Sequence, residues 1–385
     1  MATVPETTPE ELHEHIEAGE SVTVVDVRQP HEYEKWHIDG PNVETVNVPD
    51  RKLAQSAPED VLADVPTETV VTVCGTGKIS RESARHLRKA DVDVRNLAGG
   101  MEAWADLSVY TEIETDAEAT VLQFRRPSSG CLSYLVVSGD EAAVIDPLLA
   151  FAREYVDVAA DYGSDLTYAI DTHVHADHVS GVRALGEHTD ATAVVPAAAV
   201  DRGIDYDIAY ETIADGETLS VGDSTIEAIH TPGHTSGMTA YYLDEAVLFT
   251  GDGLFVESVA RPDLEAGDEG APAAARRLYR SLRERVLPLS DATLVAPGHR
   301  SEGTEPAADG SHTATLGAIA EGMDVLSLSA DEFVDAVFAD MPPRPANHGQ
   351  IIATNLGQRD MPRARALTLE RGPNNCAATA DAMTD

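Results

Sequence analysis

Lysine is nearly absent from this chain of 385 residues: Lys35, Lys52, Lys78 and Lys89 are its whole complement, and none lies beyond residue 89. Basic side chains number 27 against 67 acidic ones, a formal net charge of −40. Clustered Lys and Arg are what hold a phosphate backbone or an anionic bilayer, so nucleic acid and membrane surface are excluded as expected partners. Cysteine is scarce too, and Cys74, Cys131 and Cys376 are too scattered for a disulfide framework. No apolar run approaches the roughly 18 residues that a membrane-spanning helix needs. The opening MATVPETTPEEL has neither the basic start nor the apolar core of a secretory leader. A cytoplasmic compartment is the expectation. The acidic excess itself describes a solvated, self-repelling surface, and it points to a halophilic source.

Hydrophobic residues make up 43% of the chain, enough for buried cores, and the length calls for more than one domain. The first hundred residues alternate strand and helix signals. Thr8-Pro9-Glu10-Glu11 predicts a capped helix start, with Thr8 as N-cap and Glu11 returning the bond. The β-branched runs Val22–Val27 and Thr69–Val73 predict buried strands, and Val92–Leu97 a third. A helix is expected over Arg81–Ala90. After a charged stretch without period come strand signals at 133–137, 142–146, 167–170, 193–195, 225–229, 240–243, 247–249 and 293–296. A helix is expected over Ala273–Val286, and one more in the tail beyond Ala318. The fold class is therefore α/β: a small parallel-sheet unit followed by a layered sandwich.

Cys74-Gly75-Thr76-Gly77-Lys78-Ile79-Ser80 joins a strand to a helix. Such a loop aims successive backbone N–H groups and the helix dipole at whatever it encloses. A thiol there has a lowered pKa, Lys78 would lower it further, and attack of the sulfur on an anionic donor is the chemistry that suits it. The plain alternative is a buried structural cysteine at a strand end. Asp26-Val27-Arg28, Glu32-Tyr33, His37-Ile38-Asp39-Gly40, Asn47-Val48-Pro49, Leu97-Ala98-Gly99-Gly100-Met101 and Trp104 flank the loop. Together these blocks resemble the rhodanese domain over about residues 5–107. The resemblance implies a sulfurtransferase in which Cys74 carries a persulfide sulfur. Rhodanese loops often hold arginines, whereas the one cation in this loop is Lys78.

Thr172-His173-Val174-His175-Ala176-Asp177-His178 packs three imidazoles and a carboxylate behind an expected strand. Thr231-Pro232-Gly233-His234, Phe249-Thr250-Gly251-Asp252 and Ala296-Pro297-Gly298-His299 follow other expected strands. Imidazole with carboxylate suits zinc, iron or manganese. These blocks, in this order, resemble the metallo-β-lactamase superfamily over about residues 118–305, which implies an αββα sandwich. Carried over by position, one metal site would use His173, His175 and His234. The other would use Asp177, His178 and His299, with Asp252 bridging.

Two chemistries compete within that resemblance. The hydrolase reading resembles glyoxalase II, with one or two zinc ions and a thioester substrate. The oxygenase reading resembles the persulfide dioxygenases, which imply one Fe(II) on His173, His234 and Asp252. Ser129–Tyr134 with Val144–Pro147, and Arg261-Pro262-Asp263-Leu264 after Asp252, resemble the oxygenase branch. Arg261 is then a candidate carboxylate-binding group, or else part of an ion pair. Where that family carries Gly-Cys-Gly-Arg, this chain has Ser258-Val259-Ala260-Arg261. Cys131 reads as a packing residue and Cys376 as incidental.

The expected domains are a rhodanese-like domain over 1–110, a linker over 111–120, a metal-binding sandwich over 121–318 and a C-terminal extension over 319–385. Its Met341-Pro342-Pro343 and Asn347–Gly357 blocks would wall the site or clasp it. A small-molecule thiol or persulfide is the expected partner, with homo-oligomerisation left open. A further alternative is a non-catalytic sulfur-carrier module with a structural metal.

Overall fold

The computed structural model describes residues 3–40, 42–63, 69–300, 304–339, 341–345 and 347–371. Its contacts divide the chain into two units: residues 1–107 with 127–129, and residues 108–126 with 130–385. Cys376 lies outside the described residues.

The first unit is built on a five-stranded, wholly parallel sheet. Its strands lie in the order Glu6–Thr7, Val94–Leu97, Thr69–Val73, Val22–Asp26 and Val43–Asn47. The two central strands are buried along almost their whole length, which is why they read as continuous β-branched runs rather than alternating ones. Helix Pro9–Glu17 starts where the sequence predicts it. Thr8 Oγ1 accepts the Glu11 N–H at 3.2 Å, and Glu11 Oε2 accepts the Thr8 N–H at 3.0 Å. The helix expected over Arg81–Ala90 begins earlier and covers Lys78–Leu87. Its first turn is supplied by the loop itself, so the apolar period starts late. The motif Asp26-Val27-Arg28 is structural. Arg28 grips the buried Asp26 carboxylate with Nε and Nη2, and Asn47 Nδ2 donates to the carbonyls of both residues at 3.0 Å.

The second unit is an αββα sandwich. One sheet has seven strands in the order Tyr210–Ile213, Thr192–Pro196, Asp165–Ile170, Glu141–Ile145, Leu132–Ser138, Thr120–Arg125 and Val109–Glu112. The other has six, from Thr218–Val221 through Ser224–His230, Thr239–Leu243, Val247–Gly251 and Leu294–Pro297 to Ala314–Thr315. Alternation along the strands builds the layers. Tyr134, Val136, Ile145, Ile170, Tyr241, Leu243 and Phe249 point between the sheets. Their neighbours Leu135, Val137, Val144 and Ala169 pack outward on helices Ala152–Asp161 and Val182–His188. On the opposite side, Tyr242, Leu248 and Val295 pack on Leu278, Phe333 and Val337.

The second unit also differs from the sequence expectation. Val109–Glu112 reaches into the expected linker, yet it pairs antiparallel with Thr120–Arg125 and closes the edge of the seven-stranded sheet. Its alternately exposed, polar face hides it from a hydrophobic-pattern search. The helix expected over 273–286 is one long segment, Asp263–Ser281, broken at Gly267, and it runs on into Leu282–Val286. Among the described residues, the tail holds four helices rather than one: Leu316–Gly322, Ala330–Ala339, His348–Asn355 and Arg363–Leu369. Such short helices owe their stability to docking and leave a weak period of their own. Among the described residues, no helix is long and apolar enough to cross a membrane.

Candidate functional site

Each turn that carries candidate metal ligands leaves the end of a sandwich strand. His173, His175, Asp177 and His178 follow Asp165–Ile170, and His234 follows Ser224–His230. Asp252 follows Val247–Gly251, and His299 follows Leu294–Pro297. All seven side chains are buried. The structure sorts them into separate groups.

His173, His234 and Asp252 form the first group. The Nε2 atoms of both imidazoles lie 3.7 Å from Asp252 Oδ2, and neither has a hydrogen-bond partner among the described residues. Their other ring nitrogens are fixed. His234 Nδ1 donates to the Arg261 carbonyl at 2.8 Å. His173 Nδ1 sits 2.9 Å from Thr172 Oγ1, which donates its own proton to Asp146 Oδ2 at 2.9 Å. With the hydroxyl proton committed to that carboxylate, His173 has to donate from Nδ1. Both tautomers therefore present a bare Nε2 lone pair toward Asp252, the arrangement by which second-shell partners aim metal ligands. Burial keeps these rings neutral: it drives His173 well below the ordinary histidine value and His234 down to about 4. Two orphaned imidazole nitrogens beside a buried carboxylate fit a metal ion, since such groups are costly to bury without one.

His175 packs its ring 4.2 Å from that of His173, and its Nε2 is taken up by two other carboxylates. Its Nε2 lies 3.1 Å from Asp146 Oδ1 and 3.4 Å from Asp171 Oδ1. Burial alone would lower its pKa, but the two carboxylates outweigh burial and raise it well above the ordinary value. Asp146 is held at φ +53°, unusual for a residue other than glycine, and its carboxylate ties Thr172 and His175 together.

Asp177 and His178 form a third group with Cys131. The Cys131 thiol and His178 Nδ1 both lie 3.2 Å from Asp177 Oδ2. Burial would raise the Asp177 carboxyl, but His178, His175 and His299 hold it well below the usual range. His299 arrives beside Cys131 through an antiparallel bridge. Gly130, at φ +77°, makes room for it: a Cβ there would lie 2.8 Å from His299 Cε1. Cys131 thus sits among candidate ligands. A packing role was the sequence expectation, and nothing in local spacing points to its partners.

Arg261 is buried and ion-paired. Its Nε donates to Asp263 Oδ1 at 2.8 Å and Nη2 to Oδ2 at 3.2 Å, while Nη1 donates to the Pro343 carbonyl at 3.0 Å. Arg344 joins the same carboxylate at 2.6 Å. Toward His234 it is the backbone carbonyl of Arg261 that acts. The C-terminal extension clasps the histidine loop. Asn355 Nδ2 donates to the carbonyls of His175 and His178, and its Oδ1 accepts the Ser180 N–H. Glu370 accepts the Val179 N–H at 2.7 Å and an ion pair from the fully buried Arg126 at 2.8 Å.

In the first unit, Cys74 follows Thr69–Val73 and is buried beneath the start of helix Lys78–Leu87. Its sulfur accepts the Ser80 N–H at 3.4 Å and lies 3.3 Å from the Ser80 hydroxyl. Burial raises the thiol, but these bonds and those from the Thr76 and Ile79 N–H groups outweigh it, so the net shift is downward. Lys78 is exposed, and Ser80 is the partner that the sequence reading passed over. Gly100, at φ +62°, lets the following loop close on the cysteine. A Cβ there would meet the Cys74 carbonyl at 2.1 Å, and the Met101 N–H donates to that same oxygen at 2.9 Å.

Comparison with known proteins agrees with this division. Residues 127–299 match the metallo-beta-lactamase superfamily profile, and residues 8–107 match the rhodanese-like domain profile. The mitochondrial persulfide dioxygenase ETHE1 of Bos taurus is 27% identical over 266 residues, covering 68% of this chain and 96% of that one. A probable metallo-hydrolase of Burkholderia pseudomallei (strain 1710b) is 35% identical over 222 residues, covering 47% and 72%. The crystal structure of ETHE1 from Myxococcus xanthus superposes with a TM-score of 0.53 at 29% identity, covering 62% and 98%.

Proposed function

Since the chain belongs to the metallo-beta-lactamase superfamily, with a rhodanese-like domain ahead of that fold, we propose that it oxidises a low-molecular-weight persulfide to sulfite and the free thiol. The balanced reaction is RSSH + O₂ + H₂O → RSH + SO₃²⁻ + 2H⁺. One observation carries this reading: the ligand atoms of His173, His234 and Asp252 converge as a candidate three-ligand set, while the Nε2 of His175 is taken up by Asp146 and Asp171. Ferrous iron held by two imidazoles and one carboxylate would keep positions open for both O₂ and a sulfur substrate.

The protein's own part is orientation and dryness. Thr172 and the Arg261 carbonyl fix the ring tautomers, Asp146 fixes Thr172, and burial keeps both rings in the unprotonated form that binds metal. Cys74 is the sulfur carrier of the first unit, cradled by Ser80 and the loop N–H groups. Sulfane sulfur handled at one site is the substrate class of the other, which supports joining them in one chain. The resemblance to the persulfide dioxygenase ETHE1 of Bos taurus points the same way.

A second reading, a binuclear zinc thioester hydrolase, is favoured by the Asp177, His178 and His299 side chains close by. Metal analysis with oxygen uptake separates the two. Bound iron, with persulfide-dependent oxygen consumption and sulfite release, is the expected result. Two zinc ions, thioester cleavage and no oxygen uptake would overturn it.

A further inference from the structure

The hydroxyl of Ser80 stands between two acceptors. Cys74 Sγ lies 3.3 Å away and Asn96 Oδ1 lies 2.7 Å away. Ser80 and Asn96 are both fully buried, so no water competes for either. The Asn96 carboxamide cannot turn over. Its Nδ2 donates to the Gly77 carbonyl and Glu6 Oε1, both at 3.1 Å, and to the Leu97 carbonyl at 3.3 Å, which leaves Oδ1 facing Ser80. A serine hydroxyl has one proton to give and can accept as well.

We propose that the Ser80 hydroxyl is a charge-sensing rotor for Cys74: it donates to the sulfur when the sulfur is anionic and to Asn96 Oδ1 when the sulfur is neutral. In the neutral state the Cys74 S–H donates to a lone pair of Ser80 while the hydroxyl serves Asn96 Oδ1; in the anionic state the hydroxyl leaves Asn96 Oδ1 for the sulfur, because a charged acceptor holds it more strongly than a neutral amide oxygen. Ionisation moves the thiol proton to solvent, breaks the S–H···O contact, and turns the hydroxyl from Asn96 to sulfur. Asn96 acts through Ser80 and is a positioning residue. An inner sulfur capped by an outer sulfur atom is uncharged and has no S–H to give, so there the hydroxyl stays on Asn96 Oδ1; that extension alone rests on the sulfur-carrier reading above.

The charged groups on the elements around the loop are few. Glu6 is ion-paired to Arg81, Asp26 to Arg28, and Lys78 and Glu102 are exposed. The buried hydroxyl is therefore placed to dominate.

The test is the ionisation of Cys74 in the full chain. It is followed by ultraviolet thiolate absorbance, with Cys74→Ser as the blank that cancels Cys131 and Cys376. Ser80→Ala is expected to raise the midpoint by about one to two pH units, the worth of one hydrogen bond to a charged group. Ser80→Thr, which keeps the hydroxyl, stays near the unaltered protein. An unchanged midpoint in Ser80→Ala, or an equal rise in Ser80→Thr, overturns the proposal. The unaltered chain supplies a second measurement, the infrared S–H stretch of Cys74 below its midpoint. A band lowered by donation to Ser80 supports the rotor, and a band at the frequency of a free thiol overturns it. Sulfur transfer is assayed separately, so a chain that shows the rotor yet transfers no sulfur fails only the function proposed above.

Discussion

Thr172 shows how one hydroxyl decides what an imidazole can do. It accepts the Nδ1–H of His173 and donates its own hydroxyl to Asp146, so the lone pair of Nε2 is aimed before any ligand arrives. Valine has nearly the same shape without the hydroxyl. Thr172→Val is expected to weaken metal affinity about 10–100-fold, the usual effect of losing a second-shell partner. Chelator competition on the folded variant measures this, and an unchanged affinity would remove Thr172 from the assignment. Ser80 plays the matching part beside Cys74, where loss of its hydroxyl pushes thiolate formation to higher pH. At pH values below the raised midpoint the variant holds less thiolate and alkylates more slowly, whereas well above it the two proteins react alike. Both residues are small hydroxyl side chains next to the obvious functional residue, and neither has a spacing that marks it.

At the scale of elements, the C-terminal extension supports the candidate metal site although none of its described residues is among the candidate ligands. Helix His348–Asn355 ends on Asn355, whose side chain grips the backbone of the histidine loop from inside. Glu370, just past helix Arg363–Leu369, closes the same loop through Val179 and neutralises Arg126. With both side chains of that pair fully buried, losing one charge strands the other. Glu370→Gln is expected to destabilise the chain by about 3–5 kcal/mol. Equilibrium urea denaturation reads that change; a variant as stable as the parent would mean that the pair is replaceable.

Over the whole molecule, the net charge of −40 sets the response to salt. Like charges spread over the surface repel at low ionic strength, and the screening length falls from about 10 Å at 0.1 M to about 3 Å at 1 M. Thermal unfolding in potassium chloride is expected to move to higher temperature as the salt approaches molar concentration. A midpoint that stays flat or falls would show that the acidic surface is no adaptation to salt. The buried ion pairs Arg126–Glu370 and Arg261–Asp263 lie outside this effect, because solvent ions do not reach them.

The sequence by itself determined the two-part α/β plan, most of the buried strands, and the candidate ligands. Buried strands announce themselves as β-branched runs, and a cluster such as His173-Val174-His175-Ala176-Asp177-His178 has no ordinary packing use. What only the tertiary structure decided is how those ligands divide. His173 and His175 are alike in sequence, yet Thr172 aims the Nε2 of one at Asp252 while Asp146 and Asp171 take up the Nε2 of the other. Likewise Arg261 is taken up by Asp263, and Cys131 meets Asp177 across the fold. Each of these outcomes depends on a partner far along the chain, and local spacing carries no record of which buried charge will find which hydrogen-bond donor.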